Sequence, residues 1–482
     1  MENNTSWNII FLIYAELTND ATDDDMGSDE VPVIQQVRFL EQELRQLPVF
    51  PSVNLFYIKN TVRILDDKVI SDHTTISRLI KGRSGNGSSF KKIAQSSHKN
   101  FGQKYRCVAW AFKKATQSSP ADKTVLVTWD HGSVFGIFKR TVSAHETHAQ
   151  IDSKIGNYRV ITSNAWSFEL VRNKPLLRPS VFYKTSDLWL KERIRNQTSI
   201  DILSMDRLAD AIREGIKGGV VEALVMYNCN MQNMHTCFSL KDQVRYLLAP
   251  EATIASPGYD FRSLVNFIGA NNKPELDGGM IMVKAIADIK DFYQRCGRAD
   301  VLDRYALFGL SLCGYQEKVI APMKKFVALL RQMMQDNIFK ENLRIVRSKS
   351  FAFAHELNYE QVDLINFLTK LSEDAERPEI TLMLEWIRTT YEASIFARSI
   401  GKEIYPPGDG SWGQWTNTPP NGVSIYYPEN GLDRTDSVAQ TYIMRNAPLG
   451  SGLMAEIGWI DFLEDLIPTI SFDLVIQWDT YI

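Results

Sequence analysis

Two short apolar runs, each ending in a reactive side chain, constrain this chain more than any other feature. TVLVTW (Thr124 to Trp129) stops at Asp130 and His131, and VVEALVMY (Val220 to Tyr227) stops at Asn228 and Cys229. Each run has the length and the β-branched, aliphatic and aromatic content of one buried strand. In an open parallel sheet the reacting groups gather beyond the carboxyl ends of adjacent strands, where loops can be shaped without breaking the ladder. A cysteine and a histidine delivered there suggest a thiol nucleophile with an acid–base partner. The backbone N–H groups of Gly132 and Cys229 are candidates to meet a developing oxyanion.

The rest of the chain supports a sheet with helices around it. WNIIFLIY near the amino terminus and VNLFYI (Val53 to Ile58) read as strands, and Ile34, Val37, Leu40, Leu44 and Leu47 between them share one helix face. Alternating strand and helix signals imply an α/β sheet. DRLADAIREGIKGG (Asp206 to Gly219) gives a helix stopped by Gly218 and Gly219 just before the cysteine run. The stretch between His131 and Cys229 is too long for one crossover helix and implies an insertion. The polar, Pro-interrupted segment 139–197 is its expected place. Beyond Asp260 the pattern turns mainly helical, with apolar stripes at Ile320 to Met334, Val362 to Leu371 and Ile380 to Ile395. GVSIYYP (Gly422 to Pro428) and ISFDLVIQW then return as strands. The expected division is an α/β core over 1–275 and a helical region closed by strands over 276–482.

Composition narrows the partners. A chain of 482 residues with 44% hydrophobic residues builds a sizeable core, and a net charge of −3 gives no general attraction to nucleic acid or to an anionic membrane. The amino terminus lacks the basic lead of a signal peptide and the length of a membrane span. Five cysteines at irregular spacing form no disulfide framework. A cytoplasmic setting is therefore expected. Residues 73–121 carry ten Lys and Arg and no acid, read as a solvated helix face plus loop, whereas 446–482 carries six acids and no Lys or Arg. The two stretches are complementary, or separate solvated faces, or the basic one meets an acidic external partner.

Several sharper readings fail on their own requirements. The acidic run 19–30 lacks the ligand spacing of a calcium loop. GRSGNGSS lacks the Lys that a phosphate loop needs after its last Gly. Cys229, His235 and Cys237 are possible zinc ligands, but no second pair accompanies them, so His235 and Cys237 read as first-turn helix residues. GLSLCG (Gly309 to Gly314) lacks the second Gly of a serine nucleophile elbow and reads as lying among helices. Cys107, Cys296 and Cys313 read as core.

PADKTVLVTWDHGS (Pro120 to Ser133) resembles the PAD-x-x-x-LILW-x-HGSG motif of the clostripain family, and YNCNM followed by LKDQVRYLLAPE resembles that family's D-A-C-x-M and ELKDYADYLVASEE. PGYDF (Pro257 to Phe261) is similar to its G-W-D-Y, and GVSIYYP to its G-x-SIYFP. The resemblance implies a caspase-like, mostly parallel sheet and a cysteine endopeptidase with a Cys229–His131 dyad and an oxyanion site at Gly132 and Cys229. It also implies protein or peptide substrates and processing between His and Cys, so a latent form is expected, held by the insertion and released by cleavage by an activating protease or by a regulatory protein. Lys154, Arg172, Lys174 and Arg178 are the candidate cleavage points. No cofactor is expected, although some clostripain-like enzymes use calcium. The family's acid for a basic substrate side chain stands two residues before the nucleophile, where this chain has Tyr227, and a second acid falls at Pro257. Tyr227 and Asp260 are the candidate specificity residues, and an uncharged residue is expected before the scissile bond. The alternative is an inactive caspase-like scaffold or sensor that binds a protein partner, since fold alone does not establish function.

Overall fold

A computed structural model describes residues 4–18, 33–65, 68–71, 73–81, 88–97, 101, 105–129, 131–133, 136–142, 158–162, 167–172, 198–252, 254, 256–298, 305–350, 352–353, 361–375, 377–401, 403–404, 413–414, 420–427 and 453–466. Along the first half run β1 (Trp7–Thr18), α1 (Val33–Arg45), β2 (Val53–Leu65), β3 (Lys68–Ser71), β4 (Thr74–Lys81), β5 (Ser88–Ser96), α2 (Tyr105–Ser118) and β6 (Lys123–Trp129). Next come β7 (Gly132–Ser133), β8 (Gly136–Val142), β9 (Tyr158–Thr162), β10 (Ser167–Arg172), β11 (Thr198–Ser204), α3 (Met205–Gly215), β12 (Val221–Tyr227), α4 (Met234–Leu240) and β13 (Val244–Pro250). The second half continues with α5 (Phe261–Ala270), α6 (Gly278–Ala287), α7 (Ile289–Arg295), β14 (Ala306–Ser311), α8 (Ala321–Met333), α9 (Asn337–Lys349), β15 (Ala352–Phe353) and β16 (Gln361–Asp363). It closes with α10 (Leu364–Ala375), α11 (Pro378–Glu392), β17 (Ile395–Ile400), β18 (Glu403–Ile404), β19 (Gly413–Gln414), β20 (Ser424–Tyr426), α12 (Leu453–Ile457) and α13 (Trp459–Leu466).

The main sheet follows the order β17-β14-β13-β12-β6-β1-β2-β4-β5, with β3 added to β2. Its five central strands, β13 to β2, are parallel, and antiparallel strands flank them on both sides. Strand β1 explains why such strands read as unbroken apolar runs. Ile10, Leu12 and Tyr14 pack with Phe112 of α2 and Leu208 of α3 on one face, and Trp7, Ile9, Phe11 and Ile13 pack with Leu40 of α1 and Leu264 of α5 on the other. A strand covered on both faces needs apolar residues at every position. The chain moves from β1 to β2 in one direction and to β6 in the other, so the winding reverses between β1 and β6, and a crevice opens beyond the carboxyl ends there.

Several expectations are corrected. The basic stretch is a hairpin rather than a helix face where it carries Arg78, Lys81, Lys91 and Lys92: β4 and β5 pair antiparallel at the sheet edge. Charged side chains on an edge strand blunt its tendency to pair with other chains. Among the described residues the acidic terminus does not meet that hairpin; Asp461 and Asp465 of α13 each lie 3.1 Å from the Arg331 guanidinium of α8. The acidic run 19–30, most of GRSGNGSS and ISFDLVIQW fall outside the described residues. Strands β14 and β17, from the part expected to be helical, extend the main sheet across residue 275. Gly309 to Ser311 are the end of β14, and Ser311 pairs with Tyr246 near the start of β13, away from the edge that carries His131 and Cys229. Cys313 is exposed in the turn after β14 and Cys296 is half-buried at the end of α7, so of the three only Cys107 is core. Val362 and Ile395 belong to strands rather than to helical stripes.

The described part of the expected insertion is also ordered differently from its sequence texture. Strands β7 to β11 form a second, antiparallel sheet in the order β7-β8-β11-β10-β9. Strands of five to seven residues carry too few periods to stand out from a polar background. Lys139, the expected first residue of the insertion, is buried, donating from Nζ to Asn60 Oδ1 and lying 5.0 Å from the ring of Tyr14.

The helices that lead into β6 and β12 pack together. α2 precedes β6, α3 ends just before β12, and they meet at Gly215, where a Cβ would lie 2.5 Å from the Ala109 carbonyl oxygen and 2.8 Å from Phe112 Cβ. A Gly215→Ala substitution gains at most about 1 kcal/mol of helix propensity and less at a helix end, whereas overpacking against backbone costs about 1–3 kcal/mol. Gly215→Ala is therefore expected to lower the urea midpoint by the equivalent of about 1–2 kcal/mol, and an unchanged or raised midpoint would show that the helices separate freely.

Candidate active site

The parallel ladder between β6 and β12 ends with Tyr227 opposite Trp129. His131 and Cys229 each follow two residues later, so they leave neighbouring strand ends at the same edge of the sheet. Their loops are locked together. Thr128 Oγ1 donates to Asn228 Oδ1 at 2.6 Å, a buried bond across the last rungs. Asn228 Nδ2 donates to the carbonyl of His131 at 3.3 Å. Gly132 is packed so closely on the cysteine loop that a Cβ there would overlap the Cys229 carbonyl oxygen and lie 2.9 Å from the Asn228 carbonyl carbon. A glycine after His131 is what lets the two loops touch. His131 and Cys229 are both half-buried, which leaves each side chain partly open to solvent.

Beyond the cysteine the chain turns through Asn230 in the left-handed region, φ 58°. Asn tolerates that conformation better than most residues. Asn230 N–H donates to Ala252 O at 3.1 Å and Gln232 N–H to Pro250 O at 2.9 Å, so the loop runs alongside the end of β13 and the residues just after it. On its other side Ser424 of β20 donates to Gln232 O at 3.3 Å and bridges Asn233 in parallel. Asn233 then caps α4, its Oδ1 accepting from Thr236 N–H at 2.8 Å. The GVSIYYP motif thus lies directly against the cysteine loop. His235 and Cys237 are buried on α4, as their first-turn placement implied. Burial pushes the Cys237 thiol up to about 12, making it an inert core thiol. Among the described residues no three His, Cys, Asp or Glu side chains are grouped to hold a metal ion.

A pocket of about 280 Å³ opens beside this edge, lined by Gln36 and Phe39 of α1, Trp129, Pro257, Asp260 and Phe292 among others. Tyr227 does not line it as expected. The Tyr227 ring is buried beside Trp129, centroids 5.5 Å apart, and lies under Gly258, where a Cβ would come within 2.5 Å of the ring. Its hydroxyl donates to Gln36 Oε1 at 3.3 Å, so it backs the wall that Gln36 and Trp129 form. Gly258 has φ 79°, and a glycine is required both by that backbone and by the ring beneath it. Asp260 does line the pocket, but its carboxylate is engaged: Oδ1 caps α5 through Ser263 N–H at 2.8 Å, and Oδ2 forms an ion pair with Arg295. Of the proposed cleavage points, Arg172 lies in β10, and Lys154, Lys174 and Arg178 are outside the described residues. Sequence reasoning missed Gln36, Trp129 and Phe292 as pocket residues. Only Trp129, fixed by the strand register, carried a signal that could have found it.

Comparisons with known proteins bear on the family and the fold. The Clostripain family matches residues 195–463. An inactive zymogen C11 protease from Parabacteroides distasonis is similar in structure, with TM-score 0.54 and 11% identity, over 95% of this chain and 99% of that one. A secreted C11 cysteine protease from Bacteroides thetaiotaomicron, in complex with an irreversible peptide inhibitor, also gives TM-score 0.54, with 12% identity over 95% of this chain and 99% of that one. At these identities the likeness concerns the fold, a large mostly parallel sheet flanked by helices. No curated protein matches the chain in sequence. The family match spans more than half of the sequence and includes the cysteine loop, the strand after it and the GVSIYYP motif: this chain belongs to the clostripain family and is a cysteine peptidase.

Proposed function

We propose that the chain hydrolyses peptide bonds through a dyad of Cys229 and His131. The observation that carries this reading is the β6–β12 register, which brings the two side chains to adjacent strand ends, with Gly132 against the Cys229 backbone. The Cys229 thiolate attacks the scissile carbonyl carbon, forming a C–S bond and moving the carbonyl π pair onto oxygen. The N–H groups of Gly132 and Cys229 stabilise that oxyanion. Collapse expels the amine, which takes its proton from the imidazolium of His131. Water then attacks the thioester, giving its proton to His131, and the carboxylic acid leaves as the thiolate re-forms. No metal enters these steps. Cys229→Ala or His131→Ala is expected to lower cleavage of a peptide substrate at least about 10³-fold, the scale on which paired catalytic groups act together. Wild-type cleavage by either variant would end the assignment.

The pocket supports a preference for an uncharged side chain before the scissile bond. Its wall is largely apolar and aromatic, and the acids that line it are engaged, Asp260 by Arg295 and Glu43 by Arg262 at 3.7 Å. A guanidinium placed there would be desolvated without a carboxylate of its own, at a penalty of about 3–5 kcal/mol, or roughly a hundredfold or more in discrimination. A positional-scanning peptide library is expected to favour uncharged, apolar residues at that position; clear selection of Arg or Lys would overturn the reading.

A latent form is the further part of this proposal. The zymogen state of the Parabacteroides protease supports it, with cleavage proposed within 139–197, between His131 and Cys229. Activity is expected to appear only after cleavage in that segment or engagement of a protein partner. Full activity in a chain shown by intact mass to be uncut and alone would contradict it.

A further inference from the structure

Two buried carboxylates outside the dyad grip one dipeptide. Glu251 directly follows β13, and its Oε2 accepts from Gly422 N–H at 2.8 Å. Asp363, at the end of β16, accepts from Asn421 N–H through Oδ2 at 2.7 Å, while its Oδ1 caps α10 through Asn366 N–H at 2.8 Å. Leu364 N–H adds a bond to Val423 O at 3.0 Å. Adjacent amides are thus held by two acids, Glu251 at the end of a main-sheet strand and Asp363 at the end of β16. The dipeptide lies close on the sheet: Gly422 has φ 102°, and a Cβ there would lie 2.5 Å from the Phe308 ring of β14.

What this clamp holds is the strand against the cysteine loop. Two residues past Gly422, Ser424 donates to Gln232 and bridges Asn233. On the other side of the loop, Asn230 and Gln232 bond to Ala252 and Pro250, the immediate neighbours of Glu251. Glu251 therefore ties together both backbones flanking the turn after Cys229: it lies next to Pro250 and Ala252 in the chain and holds Gly422, two residues before Ser424. Its own N–H is fixed to Ala306 O at 2.9 Å.

We propose that Glu251 is a positioning residue: through Gly422 it clamps the β20 segment onto the Gln232–Asn233 turn and so sets the place of Cys229 relative to His131. The proposal rests on the dyad reading. Burial, and secondarily the Asp363 carboxylate, hold Glu251 well above the ordinary carboxylate range, and burial pushes Asp363 up to about 6. Both shifts reflect the cost of placing two carboxyl groups side by side away from water.

The test uses the full chain and iodoacetamide, with alkylation of Cys229 measured by peptide mapping against exposed Cys313 as the internal reference. Glu251→Ala is expected to lower the Cys229:Cys313 rate ratio at least about tenfold, since misplacement of about 1 Å costs up to a hundredfold in oriented reactions. Glu251→Gln, which keeps an acceptor for Gly422 N–H, is expected to hold the ratio within about threefold of wild type. Thermal melting accompanies each variant. Should Glu251→Ala fail to fold, Glu251→Asp, which draws the carboxyl back from Gly422 by one methylene, carries the test with the same expected fall. An unchanged or raised ratio in Glu251→Ala or Glu251→Asp, or a fall in Glu251→Gln as large as in Glu251→Ala, overturns the proposal. His131→Ala in parallel separates the two readings: a wild-type ratio that does not depend on His131 removes the dyad itself, whereas dependence on His131 without dependence on Glu251 removes only the clamp.

Discussion

The parallel pairing of β6 with β12 is the constraint on which the rest depends. Parallel ladders fix direction as well as register, so two strands that pair at Trp129 and Tyr227 must release their next residues side by side. A slip of one residue would turn every side chain of β12 to the other face. Leu224 and Met226 would then leave the layer they share with α2 and α3, and Val225 and Tyr227 the layer shared with α1 and α5. Both faces are apolar and fully occupied, so the sheet core itself enforces the alignment of His131 and Cys229.

Around that edge, small residues and buried polar groups do the fitting. Gly132 lets the histidine loop lie on the cysteine loop, Gly258 lets the loop after β13 cover Tyr227, and Gly422 lets β20 approach Phe308. At each of these positions a Cβ would meet backbone or an aromatic ring that has little room to give. The polar groups at the same places are matched to backbone: Asn233 and Asp260 cap helices, and Asn228 bonds both to the β6 end and to the histidine loop. A peptidase site needs this kind of second layer, because its reacting groups must hold their places without strong bonds of their own.

The sequence showed the central strands and the reactive ends clearly, because strands buried on both faces leave unbroken apolar runs, and because His131 and Cys229 stand at abrupt changes from apolar to polar. It showed the helix before β12 through its glycine stop. The antiparallel parts were hidden. β4 and β5 carry Arg78, Lys91 and Lys92 at positions that read as a helix face, and β8 to β11 are too short to impose a period on a polar segment. Glu251 and Asp363 were invisible for a different reason: a single acid in a sequence says nothing of burial, and their partners at Asn421 and Gly422 are far away along the chain. Asp260 was visible in the PGYDF motif, but its engagement by Arg295 and by the start of α5 appears only in three dimensions.

The central claim is that one thiol, activated by one histidine, performs the chemistry. The most direct measurement is covalent trapping with a peptidyl acyloxymethyl ketone that carries an apolar residue next to the warhead, read by intact mass and peptide mapping. The account predicts a single adduct, on Cys229, in the wild-type chain once it has been cleaved within 139–197 or engaged by a protein partner, and none in His131→Ala treated in the same way. An adduct on another cysteine, or labelling of Cys229 that proceeds equally without His131, would contradict it.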